Sequence, residues 1–191
     1  MRKNAKQILE DLKKENNSIK SFKLSSSGEF QIDDAEWNYK DLYHSKLVHN
    51  DQDLTNAIFI LTDHEAAQFV TQKFLFFNIT YLMIHYDSGP RHVSYVASIA
   101  IFFIVVETEF IKKSKLLTEV VTTYSIASNK FFLTIFFPFI KWAITKNYNK
   151  LMVGDMAMRL RKGELRKFGI SFVKKGERYT RPETGNLTQN N

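Results

Sequence analysis

Two histidines, His44 and His49, stand five residues apart in this 191-residue chain, and Asp41 lies three residues before the first. Imidazole nitrogens and a carboxylate are the donors that a mononuclear iron(II) centre takes on one triangular face, leaving the opposite positions open. On a regular helix an i, i+5 pair does not share a face, so both rings meet one ion only where the helix ends or distorts. The carboxylate must then come from elsewhere. Asp155 is the candidate, because it falls on an apolar stripe, four residues after Leu151 and three before Met158. A carboxylate in that position has to be ion-paired, hydrogen-bonded or metal-bound, since an isolated buried charge is strongly disfavoured. Arg159, four residues on, offers the ion pair, and the plainer alternative for His44 and His49 is a pair of surface histidines. Both readings stay open on these residues alone.

Other reactive groups carry less. His64 sits in an expected loop and His85 and His92 flank an expected hairpin turn, so all three read as solvent-exposed. Glycine-rich phosphate loops and a Gly-x-Ser-x-Gly elbow are absent from the sequence. With no cysteine there is no disulfide, no thiolate zinc site and no Cys-ligated iron–sulfur cluster. The formal charge of +7 is scattered, without the patterns of nucleic-acid modules, and predicts no nucleic-acid partner. It reads instead as a solvated basic surface able to touch anionic lipid. Arg159, Arg161, Lys162, Arg166 and Lys167 read as a solvated helix end that complements the macrodipole.

The elements that must position these groups follow from periodicity. The length suits a single core, and 17 Phe imply either a generous core or an aromatic-lined pocket. Residues 5–14 read as an amphipathic helix and 16–28 as a polar linker. Helical turns are predicted over 37–49, with Asp33 or Asp34 as cap. From 58 to 128 the chain is rich in Val, Ile, Thr, Phe and Tyr, which predicts strands over 69–85, 92–110 and 116–127. Asp87, Ser88, Gly89 and Pro90 mark the clearest turn between them. Residues 129–168 predict one long helix, with Pro138 in its first turn and Phe137, Ile140, Ile144, Leu151 and Met158 facing the sheet. The apolar runs 93–106 and 131–144 fall short of the roughly 20 residues a membrane span needs, so they read as buried strand and buried helix. The charged N-terminus has no apolar run of the secretory kind, which predicts a cytoplasmic protein.

Asp41-x-Tyr43-His44-x4-His49 resembles the iron-ligand segment of the catalytic domain of Rieske-type aromatic-ring-hydroxylating oxygenases. That resemblance implies His44, His49 and Asp155 as iron ligands and Asp41 as the bridging carboxylate. It also implies the START-like helix-grip fold, an α+β arrangement in which a curved antiparallel sheet wraps around a long C-terminal helix. The divisions expected are 1–28 as N-terminal helix and linker, 29–175 as the helix-grip domain, and 176–191 as a disordered tail. The sequence departs from the family in lacking a Rieske domain, and without cysteine it cannot hold a Rieske cluster. Two functions follow as expectations. One is an iron(II) oxygenase-like domain acting on an apolar or aromatic substrate, with electrons from a separate donor. The other is a START-like protein that binds a hydrophobic ligand or lipid without metal, with peripheral membrane contact possible for either.

Overall fold

A computed structural model describes residues 4–15, 17–42, 53–62, 64–74, 77–87, 91–114 and 116–168; within these, the side chains of 53–56, 60, 73, 74, 77, 91, 97, 98 and 166 are left undescribed. The elements run α1 (Ala5–Lys14), β1 (Ser18–Gly28), α2 (Ile32–Lys40), β2 (Asp53–Thr62), β3 (Glu65–Phe74), β4 (Phe77–Asp87), β5 (Arg91–Ile99), β6 (Phe102–Lys112), β7 (Thr118–Ser128) and α3 (Lys130–Lys167). Among the described residues the seven strands form one antiparallel sheet in the order β1-β7-β6-β5-β4-β3-β2. First and last strands are neighbours, so the sheet delivers the chain straight into α3.

Strand alternation divides the side chains between two faces. One face carries Val93, Val105 and Ala127, and α1 covers it with Ala5, Ile8 and Leu12 at steps of three and four. Asn4 starts that helix with a reciprocal cap: its Oδ1 accepts from Gln7 N at 3.0 Å and its own N–H donates to Gln7 Oε1 at 2.9 Å. The opposite face meets α3. There Phe22, paired in register with Tyr124, stacks on the Tyr124 ring and meets Phe137 edge-on. Next along the same face, Phe30, Ala35, Phe110 and Val120 form a second buried cluster against Tyr39 and Met156. Gly28 is required for it, because a Cβ there would lie 2.7 Å from the buried Phe30 ring and 2.9 Å from Met156 Sδ.

Several expectations are corrected. Residues 18–28, read as linker, form β1, an edge strand whose ladder with β7 runs from Ser18 to Gly28 although it buries only Phe22 fully. The run over 93–106 is two strands, because Ala100 takes a left-handed φ of 53° and turns the chain between Ile99 and Phe102. Ala rarely adopts that conformation, and no Gly or Asn announces the turn. The run over 69–85 likewise divides into β3 and β4. α2 ends at Lys40, and Asp34, expected as a cap, instead accepts from Gln31 N at 3.2 Å inside the first turn. Pro138 lies in the helix interior and not in the first turn. It sits on the exposed side, where water can meet the Thr134 carbonyl that loses its intrahelical donor.

Candidate functional site

The α3 stripe turns toward the sheet as expected, but its deepest members are not those chosen for hydrophobicity. Phe137, Ile140, Ile144, Leu151 and Met158 are half-buried. The buried positions are Leu133, Ala143, Tyr148, Asp155 and Arg159. Arg159, read as part of a solvated helix end, is completely buried at 0% exposure. Its guanidinium lies 5.5 Å from the Phe30 ring centre and 5.4 Å from that of Tyr39, and Asp155 Oδ2 is 3.6 Å from Nη2. The ion pair foreseen one helical turn apart therefore forms. Yet Nε, Nη1 and Nη2 have no hydrogen-bond partner among the described residues. Arginine is a five-donor fork, and donors left unmade in a buried place cost free energy.

Tyr39 links this group to a second one on the same face. Its ring centre is 6.1 Å from that of His92, and His92 lies beside His85 across the β4–β5 ladder. Far from flanking a turn in solvent, both imidazoles are buried. With Gln68 Oε1 as acceptor at 3.0 Å, His85 carries its proton on Nε2. His85 Nδ1 then has one lone pair to offer, with His92 Nε2 at 3.1 Å and Ser94 Oγ at 3.0 Å as the two neighbours able to donate to it. Burial, reinforced by His92, holds the His85 pKa well below the usual imidazole value. Burial, reinforced by the Lys40 ammonium, lowers that of His92 to about 3. Both rings are neutral hydrogen-bonding groups at neutral pH. Tyr124, on the same face, is held well above the usual phenol value by burial and then by the neighbouring phenols.

A third group closes the end of the face. Asp87, opposite His92 in the ladder, holds Lys40 Nζ at 3.1 Å, and Lys40 also reaches Glu36 Oε1 at 2.6 Å. His64 is half-buried rather than exposed, and its carbonyl accepts from Asp87 N at 2.8 Å. Lys40 thus ties α2 to the end of β4 and keeps Tyr39 seated against Phe110, 5.4 Å between ring centres.

His44 and His49 fall outside the described residues, so the structure does not place them against Asp155. Asp41, half-buried, immediately follows α2, and its N–H donates to Trp37 O at 2.8 Å. No three His, Asp or Glu side chains come together as a metal site among the described residues. The residues that sequence reasoning missed are Gln68, His85, Asp87, His92, Ser94 and Lys40. A signal existed for some of them: Met83, His85 and Asp87 share one strand parity, as do His92, Ser94 and the buried Val96.

No protein-family model matches the sequence, and no curated protein matches it either. Solved structures do. A Thermus thermophilus protein is similar at 12% identity with a TM-score of 0.62, over 74% of this chain and 98% of its own. A point mutant of Thalictrum flavum norcoclaurine synthase, in complex with a transition-state analogue, is similar at 12% identity and TM-score 0.64, over 76% and 96%. The Streptomyces aromatase/cyclase Zhui is similar at 10% identity and TM-score 0.61, over 78% and 96%. At such identity the likeness establishes the fold alone, and that fold is the helix grip: a curved antiparallel sheet closed by a long C-terminal helix.

Proposed function

We propose that the chain binds a small apolar or aromatic molecule carrying an acidic group, between α3 and the sheet face that holds His85 and His92. The observation that carries this reading is Arg159, a buried guanidinium between two aromatic rings whose N–H groups have no hydrogen-bond partner among the described residues. Planar carboxylates match the two parallel N–H groups of arginine, while Phe30 and Tyr39 offer apolar flanks to the rest of such a ligand. His92, Ser94 and Gln68 supply polar anchors farther along the face, where a few placed polar groups fix orientation. The fold is shared with norcoclaurine synthase and an aromatase/cyclase, and a small-molecule role is consistent with that company. Fold alone does not assign it.

The test pairs a fluorescent fatty acid with its methyl ester. The free acid should bind stoichiometrically and roughly tenfold or more tighter, as expected for one charge-assisted hydrogen-bond pair. The double variant Asp155→Asn/Arg159→Met should bind both alike. Equal affinity of acid and ester for the wild-type protein would sink the acidic-ligand reading.

The oxygenase reading rests on the Asp41–His49 motif. Its one ligand among the described residues, Asp155, already faces the Arg159 guanidinium at 3.6 Å, and a neighbouring cation opposes addition of a divalent one. Asp155 as found does not suit iron. Stoichiometric iron uptake on anaerobic loading, lost in Asp155→Ala, would restore that reading.

A further inference from the structure

The N-terminal turns of α3 carry apolar side chains on their exposed as well as their buried side. Leu133 faces the sheet, yet the opposite side carries Phe131, Ile135, Phe139 and Trp142 at steps of four, four and three, 65%, 53%, 45% and 50% exposed. Phe132 and Phe136 widen this stripe, 38% and 42% exposed. Phe136 meets Phe102 edge-on at 6.1 Å, which joins the stripe to the β5–β6 turn and its exposed Ile101. Ser128 Oγ pins that turn beside the start of α3 by donating to Ile101 O at 2.8 Å. A helix with apolar side chains on both sides is ordinarily enclosed by protein or lipid.

Charge indicates which. From Val120 to Gly154 the sequence has no Asp or Glu, while Lys130, Lys141, Lys146 and Lys150 punctuate it. Lys146 Nζ lies 5.4 Å from the ring centre of the exposed Trp142, and Lys130 and Lys141 are exposed on the same stretch of helix. Exposed rings bordered by ammonium groups suit the boundary of an anionic bilayer: rings enter the headgroup region and lysines meet lipid phosphates. A second copy of this chain would fit less well, because a two-fold interface sets each lysine row against its own image. No helix among the described residues is long and apolar enough to cross a membrane, so the helix would lie on the surface.

We infer that the exposed aromatic stripe of α3, with the β5–β6 turn, docks this protein on the surface of an anionic lipid bilayer. The inference rests on exposed side chains at the start of α3 and is independent of the ligand proposed at Arg159 near its end. The full chain should co-sediment with phosphatidylcholine vesicles containing phosphatidylserine, roughly tenfold more than with phosphatidylcholine alone, and added salt should weaken the binding. In Trp37→Phe protein, where Trp142 is the only tryptophan left, emission should shift to the blue on binding. The variant Phe131→Ser/Phe139→Ser/Trp142→Ser should keep the wild-type circular dichroism and lose binding roughly tenfold or more. Three results would each overturn the inference: no partition of folded wild-type protein into either vesicle, undiminished binding by the triple variant, or a wild-type dimer that this variant dissolves without any vesicle binding.

Discussion

The two halves of α3 invert the usual rule in opposite ways. Toward its C-terminal end the helix buries an arginine and an aspartate; toward its N-terminal end it exposes four Phe side chains and a Trp. Propensity and amphipathicity account for neither, since both halves are good helix and both already have a face against the sheet. Buried charge and exposed rings each work against solubility and stability, and each would be resolved by the partner proposed for it: an acidic ligand at one end, a lipid surface at the other. The sheet provides a control. Its α1 face, with Val93, Val105 and Ala127 under Ala5, Ile8 and Leu12, is an ordinary apolar core that asks for no partner.

This contrast can be broken by mutation. The largest effect should come from Arg159→Met, which leaves Asp155 buried without its guanidinium and should cost roughly 3–5 kcal/mol in denaturant unfolding. Adding Asp155→Leu should recover most of that loss. Leu133→Ala, at the start of the helix but facing the sheet, should cost about 2–5 kcal/mol. Acid should destabilise the fold through His85 and His92. Their folded pKa values lie below the unfolded value of 6.5, so the unfolded chain binds the extra protons. Stability is then full above about pH 6.5 and falls by roughly 1.4 kcal/mol per pH unit for each ring as pH drops, for His92 until about 3. His92→Gln should flatten a plot of unfolding free energy against pH over that window. Gly28→Ala, which crowds Phe30 beneath Arg159, should cost about 1–3 kcal/mol and weaken ligand binding. The smallest change belongs to Phe139→Ser, expected within about 0.5 kcal/mol of wild type although it diminishes vesicle binding; a loss comparable to that of Leu133→Ala would show that Phe139 is core.

How far the sequence could be read differs along the chain for physical reasons. α1 was legible from its apolar spacing, the break between β4 and β5 from the turn-forming residues between Asp87 and Arg91, and α3 from its period. β1 was hidden because an edge strand buries little: between Lys20 and Ser27 only Phe22 is fully buried, and the backbone ladder supplies the rest. The β5–β6 turn was hidden because Ala100 adopts a conformation that sequence signals reserve for Gly and Asn. At the site, Asp155 was legible as a carboxylate on an apolar stripe, and its pairing with Arg159 as an i, i+4 relation. The burial of His85 and His92 follows from strand parity, which here outweighs their nearness to the end of a strand. The burial of Arg159 left no local signal, since it depends on Phe30 and Tyr39, more than a hundred residues earlier in the chain.

The most direct test follows the guanidinium itself. In protein with isotopically labelled arginine, the Nε–H resonance of Arg159, assigned by its loss in Asp155→Asn/Arg159→Met, is recorded during titration with a fatty acid and separately with its methyl ester. A saturable shift is expected with the acid, at the same midpoint as the fluorescence titration, and little or none with the ester. A ligand that binds stoichiometrically while the Arg159 resonance stays in place would rule out Arg159 as the acid-binding group.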